Sequence, residues 1–401
     1  MAGELSREEG LIGSLTLFLT GIGLFRLSSV FLRESGFGMG VAVYMLVFLT
    51  ALLFLFSSVA GFRSEKVFVL LSYAGFLVLA VSVFWLVGMD GYSMGIDSLT
   101  YMTHSADLVL EGKNPYRVSM KGAESLPGDP FITNRMDGSK VRTISYPALS
   151  FYSLVPQRAL GIVDARLTLG VVTLSLILVM MWQSPYYLMS APLMVVTVSR
   201  TFNPAVIGGS LWGFIWLFPL VLSMIYWRRD LRLSAVFLAA SFAVKQIPWF
   251  IAPFLAVWLY RESDGLKEFY SDMRTMVLYG GGAFLLFNMP FVLVSPVAWL
   301  KGVLDPLFSQ VPLAMKGRGL ALLALRSRLE VSKSFFTFAM AGFTAVYLLA
   351  YYLYFERLKW TVWMAPVAIL WFNYRFSLNY LVFFFPMVYM VIMRVYLGEG
   401  S

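Results

Sequence analysis

The stretch DGYSMGIDSLTYMTHSADLVLEGKNPY, residues 90–116, is a polar interruption in a chain that is otherwise almost wholly apolar. It continues through a charged run that contains Gly and Pro and ends at TISYPALSFYSLVPQ, residues 143–157. Loops longer than about 12–15 residues are usually functional or disordered. The length of this one predicts a polar active surface carried by a membrane-embedded framework.

The composition on either side of this loop is that of a membrane protein. Hydrophobic residues make up 59% of the 401 residues and charged residues only 13%, against about 25% charged in soluble domains. Apolar runs long enough to cross a bilayer as helices recur along the chain. We predict an all-α polytopic membrane protein with about twelve spanning or half-spanning segments, near 11–32, 40–61, 67–88, 165–182, 186–199, 205–227, 232–245, 247–260, 275–294, 334–354, 360–373 and 377–396.

The short loops suggest an orientation for a single integral-membrane catalytic domain over residues 1–401. If the N-terminus is cytoplasmic, the basic turns near Arg63, Arg228 and Arg357 fall inside, and the polar segments 89–146 and 295–333 fall outside. The acidic N-terminus lacks the basic flank of a signal peptide, so the first span is expected to be retained. The second outer loop carries a basic excess, which is either a phosphate-binding surface or ordinary loop charge.

Residue counts exclude several kinds of chemistry. The chain has no cysteine and one histidine, which removes thiolate nucleophiles, disulfides and multi-histidine metal centres. We therefore predict no metal ligands. The net charge of +9 in a membrane chain favours contact with anionic lipid or phosphate over nucleic acid.

The first outer loop contains one predicted helix. Apolar residues recur at helical spacing from Leu99 to Leu110, and Gly112 and Pro115 end the pattern; this predicts an amphipathic helix lying in the membrane interface. Asp97 stands at the expected N-cap. It either only caps the helix or serves as a general base aimed into a cavity. His104, on the polar side of the helix, is either a surface residue or a site residue.

Basic residues in the later segments are candidates for the phosphate-binding part of a site that includes Asp97. Lys245 separates two apolar half-helices, and Arg375 begins the last span. A charge at the bilayer centre costs about 2.5–3.5 kcal/mol on insertion scales, so each needs a partner or a wet cavity, unless it reaches the interface. Arg200 and Arg318 are further candidates for binding phosphate; Arg318 lies between two glycines that would let the backbone approach it.

Five short sequence motifs, in the order in which they occur along the chain, resemble those of the membrane-embedded C-type (GT-C) glycosyltransferase superfamily. The closest likeness is to polyprenyl-phosphate-sugar-dependent mannosyltransferases such as GPI mannosyltransferase I and its prokaryotic relatives. The motifs are Asp97, EGKNPY at 111–116, YPAL at 146–149, Lys245 in SFAVKQIPWFIAPFL, and RFSLNYLVFFFP at 375–386. The pattern departs from the family at Gly95, where some relatives have the first acid of an Asp-x-Asp pair, and at Ala148, where a second proline is usual.

The resemblance implies an extracytoplasmic transfer reaction. A single sugar, most plausibly mannose, would move with inversion from a polyprenyl or dolichyl monophosphate to a hydroxyl of a glycolipid, glycan or protein. Asp97 would be the base and the cations would bind the donor phosphate. Tyr101, His104, Tyr116 and Tyr146 would bind the sugar and the acceptor. No cofactor is required, although a divalent cation could take part.

The multi-pass location expected is a prokaryotic plasma membrane rather than the endoplasmic reticulum. Two other interpretations stay open. One is a transporter or flippase of lipid-linked sugar, which would grip the same phosphate without forming a glycosidic bond. The other is a structural subunit that supports a partner transferase.

Overall fold

The computed structural model describes residues 5–34, 39–87, 97–126, 132–197, 213–308, 313–315, 318–327, 331–376 and 378–397. Within these ranges the chain is helical, and extended pairing is limited to isolated β-bridges. The α-helices are α1 (Arg7–Glu34), α2 (Met39–Val59), α3 (Glu65–Val87), α4 (Asp97–Leu110), α5 (Leu149–Tyr152), α6 (Val155–Ala159), α7 (Arg166–Trp182), α8 (Ala191–Thr197), α9 (Gly213–Tyr226), α10 (Leu231–Val244), α11 (Ala252–Glu262), α12 (Leu266–Val294, with a π-helical turn at Met276–Gly281), α13 (Pro296–Phe308), α14 (Leu320–Arg326), α15 (Lys333–Leu353), α16 (Phe355–Leu358), α17 (Ala365–Leu370) and α18 (Leu378–Leu397). Short 3₁₀ helices lie at Pro115–Arg117, Met120–Ser125, Tyr186–Leu188, Ile247–Ile251 and Lys359–Met364.

Length and apolar composition identify the membrane-spanning helices. Five helices are long and apolar enough to cross a bilayer: Arg7–Ser29, Gly40–Val59, Glu65–Trp85, Leu266–Val294 and Lys333–Leu353. Shorter apolar helices occur at Arg166–Trp182, Tyr186–Val195, Gly213–Tyr226, Leu231–Val244 and Phe383–Val395. The all-α membrane class is therefore supported, whereas the count of about twelve segments is not confirmed.

Two of these helices bury few of their residues within the protein. In the apolar windows of α12 and α15, only 11% of residues are buried, and side chains such as Leu286, Leu293 and Phe338 are largely exposed. An apolar surface this extensive marks contact with a membrane or a partner. The burial pattern agrees with spans whose outer faces contact lipid.

The chain divides into two compact units. Unit 1 comprises Met1–Gly95 and Asp164–Phe214, and unit 2 comprises Ile96–Val163 and Ile215–Ser401. In unit 1, α1 packs against α2 and α8 around the fully buried side chains of Leu17, Leu24 and Phe54. The prediction of one catalytic domain over 1–401 stays a prediction.

Unit 2 has a core of large aromatic side chains. Trp258 lies at its centre and is fully buried, with ring centroids 5.0 Å from Trp360 and 5.8 Å from Trp227 in edge-to-face geometry. Trp363 meets Trp227 in the same way at 5.8 Å. Edge-to-face pairs add about 0.5–1.5 kcal/mol each beyond area burial. This cluster joins α11 to the segment that follows α15.

The first turns of the loop helix α4 are packed on all sides, so the prediction of one polar side open to water is wrong there, whereas its place in the membrane interface stays a prediction. The four consecutive residues Leu99, Thr100, Tyr101 and Met102 point in every direction around the helix, and all are buried. The helix contacts α5, α6 and the 3₁₀ helix Met120–Ser125. On the predicted polar side Thr103 is fully buried, whereas His104 is partly exposed.

The predicted end of α4 is confirmed in atomic detail. Gly112 has φ +72°, a left-handed conformation that suits glycine. The Lys113 N–H donates to the Leu108 carbonyl at 2.8 Å and the Gly112 N–H to the Val109 carbonyl at 3.0 Å. These are the two bonds of a Schellman motif. Pro115 then begins the next 3₁₀ helix and directs the chain away.

A buried asparagine fastens the returning loop to a spanning helix. Asn288 of α12 is fully buried, and its Oδ1 accepts from the Ala148 N–H and from Trp299 Nε1, both at 3.0 Å. Its Nδ2 donates to the Phe284 carbonyl at 2.8 Å. One side chain thereby satisfies donors from the loop and from α13.

Asn288→Ala should lower the stability of the full chain. The substitution leaves the Ala148 amide and the Trp299 indole without an acceptor, which costs about 1–3 kcal/mol for a buried group. Thermal unfolding in detergent, followed by tryptophan fluorescence, should show a clear decrease in Tm. Thr337→Ala is the matched control, because that exposed hydroxyl bonds only to its own helix; equal Tm values for the two variants would contradict the assignment.

Candidate active site

The break predicted at Lys245 is confirmed. Helix α10 ends at Val244, Lys245 has extended backbone (φ −152°, ψ 151°), and a 3₁₀ helix follows from Ile247. Pro248 explains the end point: a proline ring clashes with the carbonyl four residues earlier, which here belongs to Val244. The local sequence therefore places a lysine at an interruption between two apolar helices.

A cavity of about 250 Å³ in unit 2 lies at this break. Its lining brings together five of the residues that the sequence singled out, namely Asp97, Tyr101, Tyr146, Lys245 and Arg375. They come from α4, the segment before α5, the break after α10 and the turn before α18. Residues far apart in sequence thus line one cavity that is partly open.

The lining of the cavity combines charged, polar and apolar side chains. The charged members among the described lining residues are Asp97, Lys245 and Arg375. The apolar members are Val141, Ile247, Phe250, Val303, Pro306, Leu313, Met340 and Leu370, and the rest carry hydroxyl or amide groups. A cavity that combines a few convergent charged groups with apolar walls is typical of small-ligand sites.

Lys245 is held between aromatic rings. Its residue is only 8% exposed, and its Nζ lies 5.5 Å from the ring centroid of Tyr380 and 5.9 Å from that of Tyr146. Both distances allow a cation–π interaction. The two rings flank the ammonium group where Lys245 lines the cavity.

Arg375 offers a donor that no described residue satisfies. Its Nη1 is buried and makes no hydrogen bond to the described part of the chain, whereas its backbone N–H donates to Asn373 Oδ1 at 2.9 Å. A buried donor without an acceptor is costly. An anionic group in the cavity would supply the missing acceptor, and a guanidinium matches phosphate oxygens well.

Asp97 is the first residue of α4, and the hydrogen bond of its side chain is made across the loop. Its Oδ2 accepts from the Thr133 N–H at 3.0 Å. Because residue 96 lies outside the described ranges, the predicted role of Asp97 as the N-cap of α4 stays a prediction. A carboxylate at the N-terminus of a helix is electrostatically favoured, and the bond from Thr133 fixes its direction.

Two tyrosines of the lining are neutral hydrogen-bonding groups. Burial raises the pKa of the Tyr146 phenol, and the nearby Asp97 carboxylate raises it further. The pKa of Tyr101 is raised for the same two reasons, and its hydroxyl donates to the Val141 carbonyl. Neither phenol is poised to lose its proton near neutral pH.

Three other residues predicted for the site are not among the described residues that line the cavity. His104 is half-buried beside Gly122, and burial lowers the pKa of its imidazole. Tyr116 packs against Phe291 at 5.4 Å and donates its hydroxyl proton to the Tyr146 carbonyl at 2.7 Å, so it supports the lining from behind. Arg200 lies outside the described residues.

Arg318 is exposed and is not among the lining residues. Its backbone N–H donates to the Phe376 carbonyl at 2.8 Å. A Cβ on Gly319 would lie 2.2 Å from the Trp371 carbonyl oxygen. The glycine after Arg318 therefore allows close packing against the turn that carries Arg375, where the sequence suggested an approach to phosphate.

Gln246 belongs to the site as well, although the sequence did not single it out. Its Nε2 donates to the carbonyls of Ser145 and Val303, both at 2.7 Å. One side chain beside Lys245 thus ties the break to the returning loop and to α13. Its position directly after the break was the available signal, but its partners are backbone carbonyls that leave no mark in the sequence.

Among the described residues, no group of three or more carboxylate, imidazole or thiol side chains is placed to hold a metal ion. Comparison of the chain with protein-family models, with curated proteins and with solved structures gives no significant match.

Arg375→Met should weaken binding of a lipid phosphate to the purified chain. The variant removes the unsatisfied donor, and a charge-assisted hydrogen bond contributes about 1.5–3 kcal/mol, so the affinity should fall roughly tenfold or more. Binding of undecaprenyl phosphate in detergent can be followed by native mass spectrometry. Arg318→Met, which removes an equal charge outside the lining, should change the affinity little; the reverse ranking would contradict this site.

Proposed function

We propose that the chain is an integral-membrane glycosyltransferase that uses a polyprenyl monophosphate sugar as donor. One observation carries the proposal: Asp97, Lys245 and Arg375 line the same cavity. A carboxylate and two cations are the groups that a sugar transfer from a phosphate needs. The resemblance of the sequence to GT-C mannosyltransferases supports the same reaction.

The size of the cavity favours a single sugar. Its volume of about 250 Å³ is slightly below the roughly 300–1,000 Å³ of ordinary small-molecule pockets. This suits one hexose with its phosphate better than an oligosaccharide. The apolar part of the lining would contact the beginning of the polyprenyl chain, with mannose as the sugar that the resemblance favours.

The proposed step is a single displacement at the anomeric carbon. The acceptor hydroxyl attacks that carbon, its proton passes to the Asp97 carboxylate, and the bond from the carbon to the phosphate oxygen breaks. The electron pair of that bond leaves with the polyprenyl phosphate. Configuration at the anomeric carbon inverts because attack and departure occur on opposite faces.

The cations act on the leaving group. As the bond breaks, negative charge grows on the phosphate, and Lys245 and Arg375 stabilise that charge. Cations that are already fixed in place before the reaction make such stabilisation effective. The rings around Lys245 flank its ammonium group, and the hydrogen bond from the Arg375 backbone N–H to Asn373 orders the turn that carries the guanidinium.

The proposed setting is the extracytoplasmic face of a prokaryotic plasma membrane. The basic short turns would lie in the cytoplasm by the positive-inside rule, which leaves the loop with Asp97 outside. Donor and acceptor would then meet at that face. The acceptor would be a hydroxyl of a glycolipid, a glycan or a protein.

Asp97→Asn should abolish most of the transfer activity. General-base catalysis contributes about 10²–10⁴-fold, and asparagine keeps an acceptor for the Thr133 amide while losing basicity. The assay uses tritiated mannosyl phosphoryl undecaprenol as donor and octyl mannoside as acceptor, with the full chain in detergent.

Glu111→Gln is the matched control, because Glu111 is an exposed carboxylate near the end of α4, paired with Lys113 at 2.7 Å. Its activity should equal that of the native chain. Normal transfer by Asp97→Asn would refute the role of the base. Movement of labelled donor across vesicles without a new glycosidic bond would instead favour a transporter.

A further inference from the structure

A small β-hairpin, residues 132–141, stands beside Asp97 within the first outer loop. Asn134 and Lys140 form an antiparallel bridge, and the Arg135 N–H donates to the Ser139 carbonyl at 2.7 Å. Gly138 has φ +82°, which completes a three-residue hairpin loop with a residue in the left-handed region. From the sequence this segment was recognisable only as part of a charged run.

One side of the hairpin forms part of the candidate site. Thr133 donates its backbone N–H to Asp97 Oδ2 at 3.0 Å, and the Val141 carbonyl accepts from the Tyr101 hydroxyl. Thr133 and Val141 themselves line the cavity. The position of the hairpin therefore decides the direction of the Asp97 carboxylate.

The other side of the hairpin is fastened to the second outer loop. Arg135 forms an antiparallel bridge with Leu313, and the Ala314 N–H donates to the Asn134 carbonyl at 2.9 Å. Arg135 Nη2 also contacts both carboxylate oxygens of Asp305 in α13, at 3.1 and 3.2 Å. The two outer loops of unit 2 are joined at this point.

The ion pair of Arg135 with Asp305 is largely shielded from solvent. The side chains of Arg135 and Asp305 are only 15% and 18% exposed, and partly buried pairs are screened less by salt than exposed ones. The pair of Lys113 with Glu111 in the same loop is more than half exposed by comparison. Neither Arg135 nor Asp305 lines the cavity, so neither is placed to touch a ligand directly.

We infer that Arg135 and Asp305 are positioning residues: they clamp the hairpin so that the Thr133 amide holds the Asp97 carboxylate in its working direction. The inference rests on the proposed function, in which Asp97 is the general base. Loosening the clamp moves the base and leaves the phosphate-binding cations in place. Turnover should then fall while the affinity for the donor stays.

Arg135→Gln tests the clamp because it removes the charge and keeps a polar side chain. A displacement of about 1 Å in a reacting group can cost about 100-fold in rate, so a partial loosening should lower kcat by about tenfold or more. The KM for mannosyl phosphoryl undecaprenol should change less than twofold, roughly within the error of such assays. A merely structural defect would lower the folded fraction and Tm, which thermal unfolding measures separately.

A disulfide can replace the ion pair. Asn134 and Ala314 are the next opposed pair beside the Arg135–Leu313 bridge. In such a hydrogen-bonded antiparallel pair the two Cα atoms generally lie about 5.5 Å apart, a distance that a disulfide spans. The chain has no native cysteine, so Asn134→Cys with Ala314→Cys gives one defined cross-link. Added to Arg135→Gln, the oxidised link should restore kcat, and a reductant should abolish the recovery. The two cysteines with Arg135 intact serve as the control and should be active in both redox states.

Hydrogen exchange supplies a readout that does not depend on transfer. Peptides that cover residues 132–136 should exchange faster in Arg135→Gln than in the native chain and slow again when the disulfide forms. Native kcat in Arg135→Gln, or no recovery on oxidation, would overturn the clamp. If neither the native chain nor any variant transfers sugar, the proposed function fails, and unchanged exchange in Arg135→Gln would show separately that the clamp fails as well.

Discussion

The need to place a lysine within an apolar helical framework is the constraint on which the candidate site depends. Pro248 ends α10 at Val244, so Lys245 falls at a break where its backbone is extended. A charge at such a place needs partners, and the rings of Tyr146 and Tyr380 with the open cavity provide them. Gln246 then holds the break against the returning loop and α13. The loop, the break and α18 therefore meet around this one cation.

Local rules predicted the parts of the fold that local chemistry decides. The spans follow from apolar length, the end of α4 from Gly112, and the break from Pro248. The surroundings of α4 did not follow from its sequence. Its apolar spacing suggested one polar side open to water, but short hydroxyl side chains can be buried when they bond to their own helix, as Thr103 does to the Leu99 carbonyl. Burial of a polar face depends on what packs over it, and periodicity does not contain that information.

The same division applies to the site. Asp97, Lys245 and Arg375 could be named from sequence because an ionisable residue beside an apolar run is conspicuous, and the structure brings all three to one cavity. Asn288, Gln246 and Thr133 could not be named, because they act through backbone amides and carbonyls of distant segments. Arg318 illustrates the opposite error. Its flanking glycine suggested a ligand, yet Gly319 is required by the close approach of the Trp371 carbonyl.

The central claim is that the cavity between Asp97 and the two cations receives the phosphate of a polyprenyl lipid. An electron cryomicroscopy structure of the full chain with undecaprenyl phosphate tests it most directly. The account predicts phosphate density within hydrogen-bonding distance, about 3 Å, of Lys245 Nζ or Arg375 Nη1, with the Asp97 carboxylate facing it across the cavity. Phosphate bound instead beside Arg318, with the cavity unoccupied by lipid at saturating concentration, would contradict it.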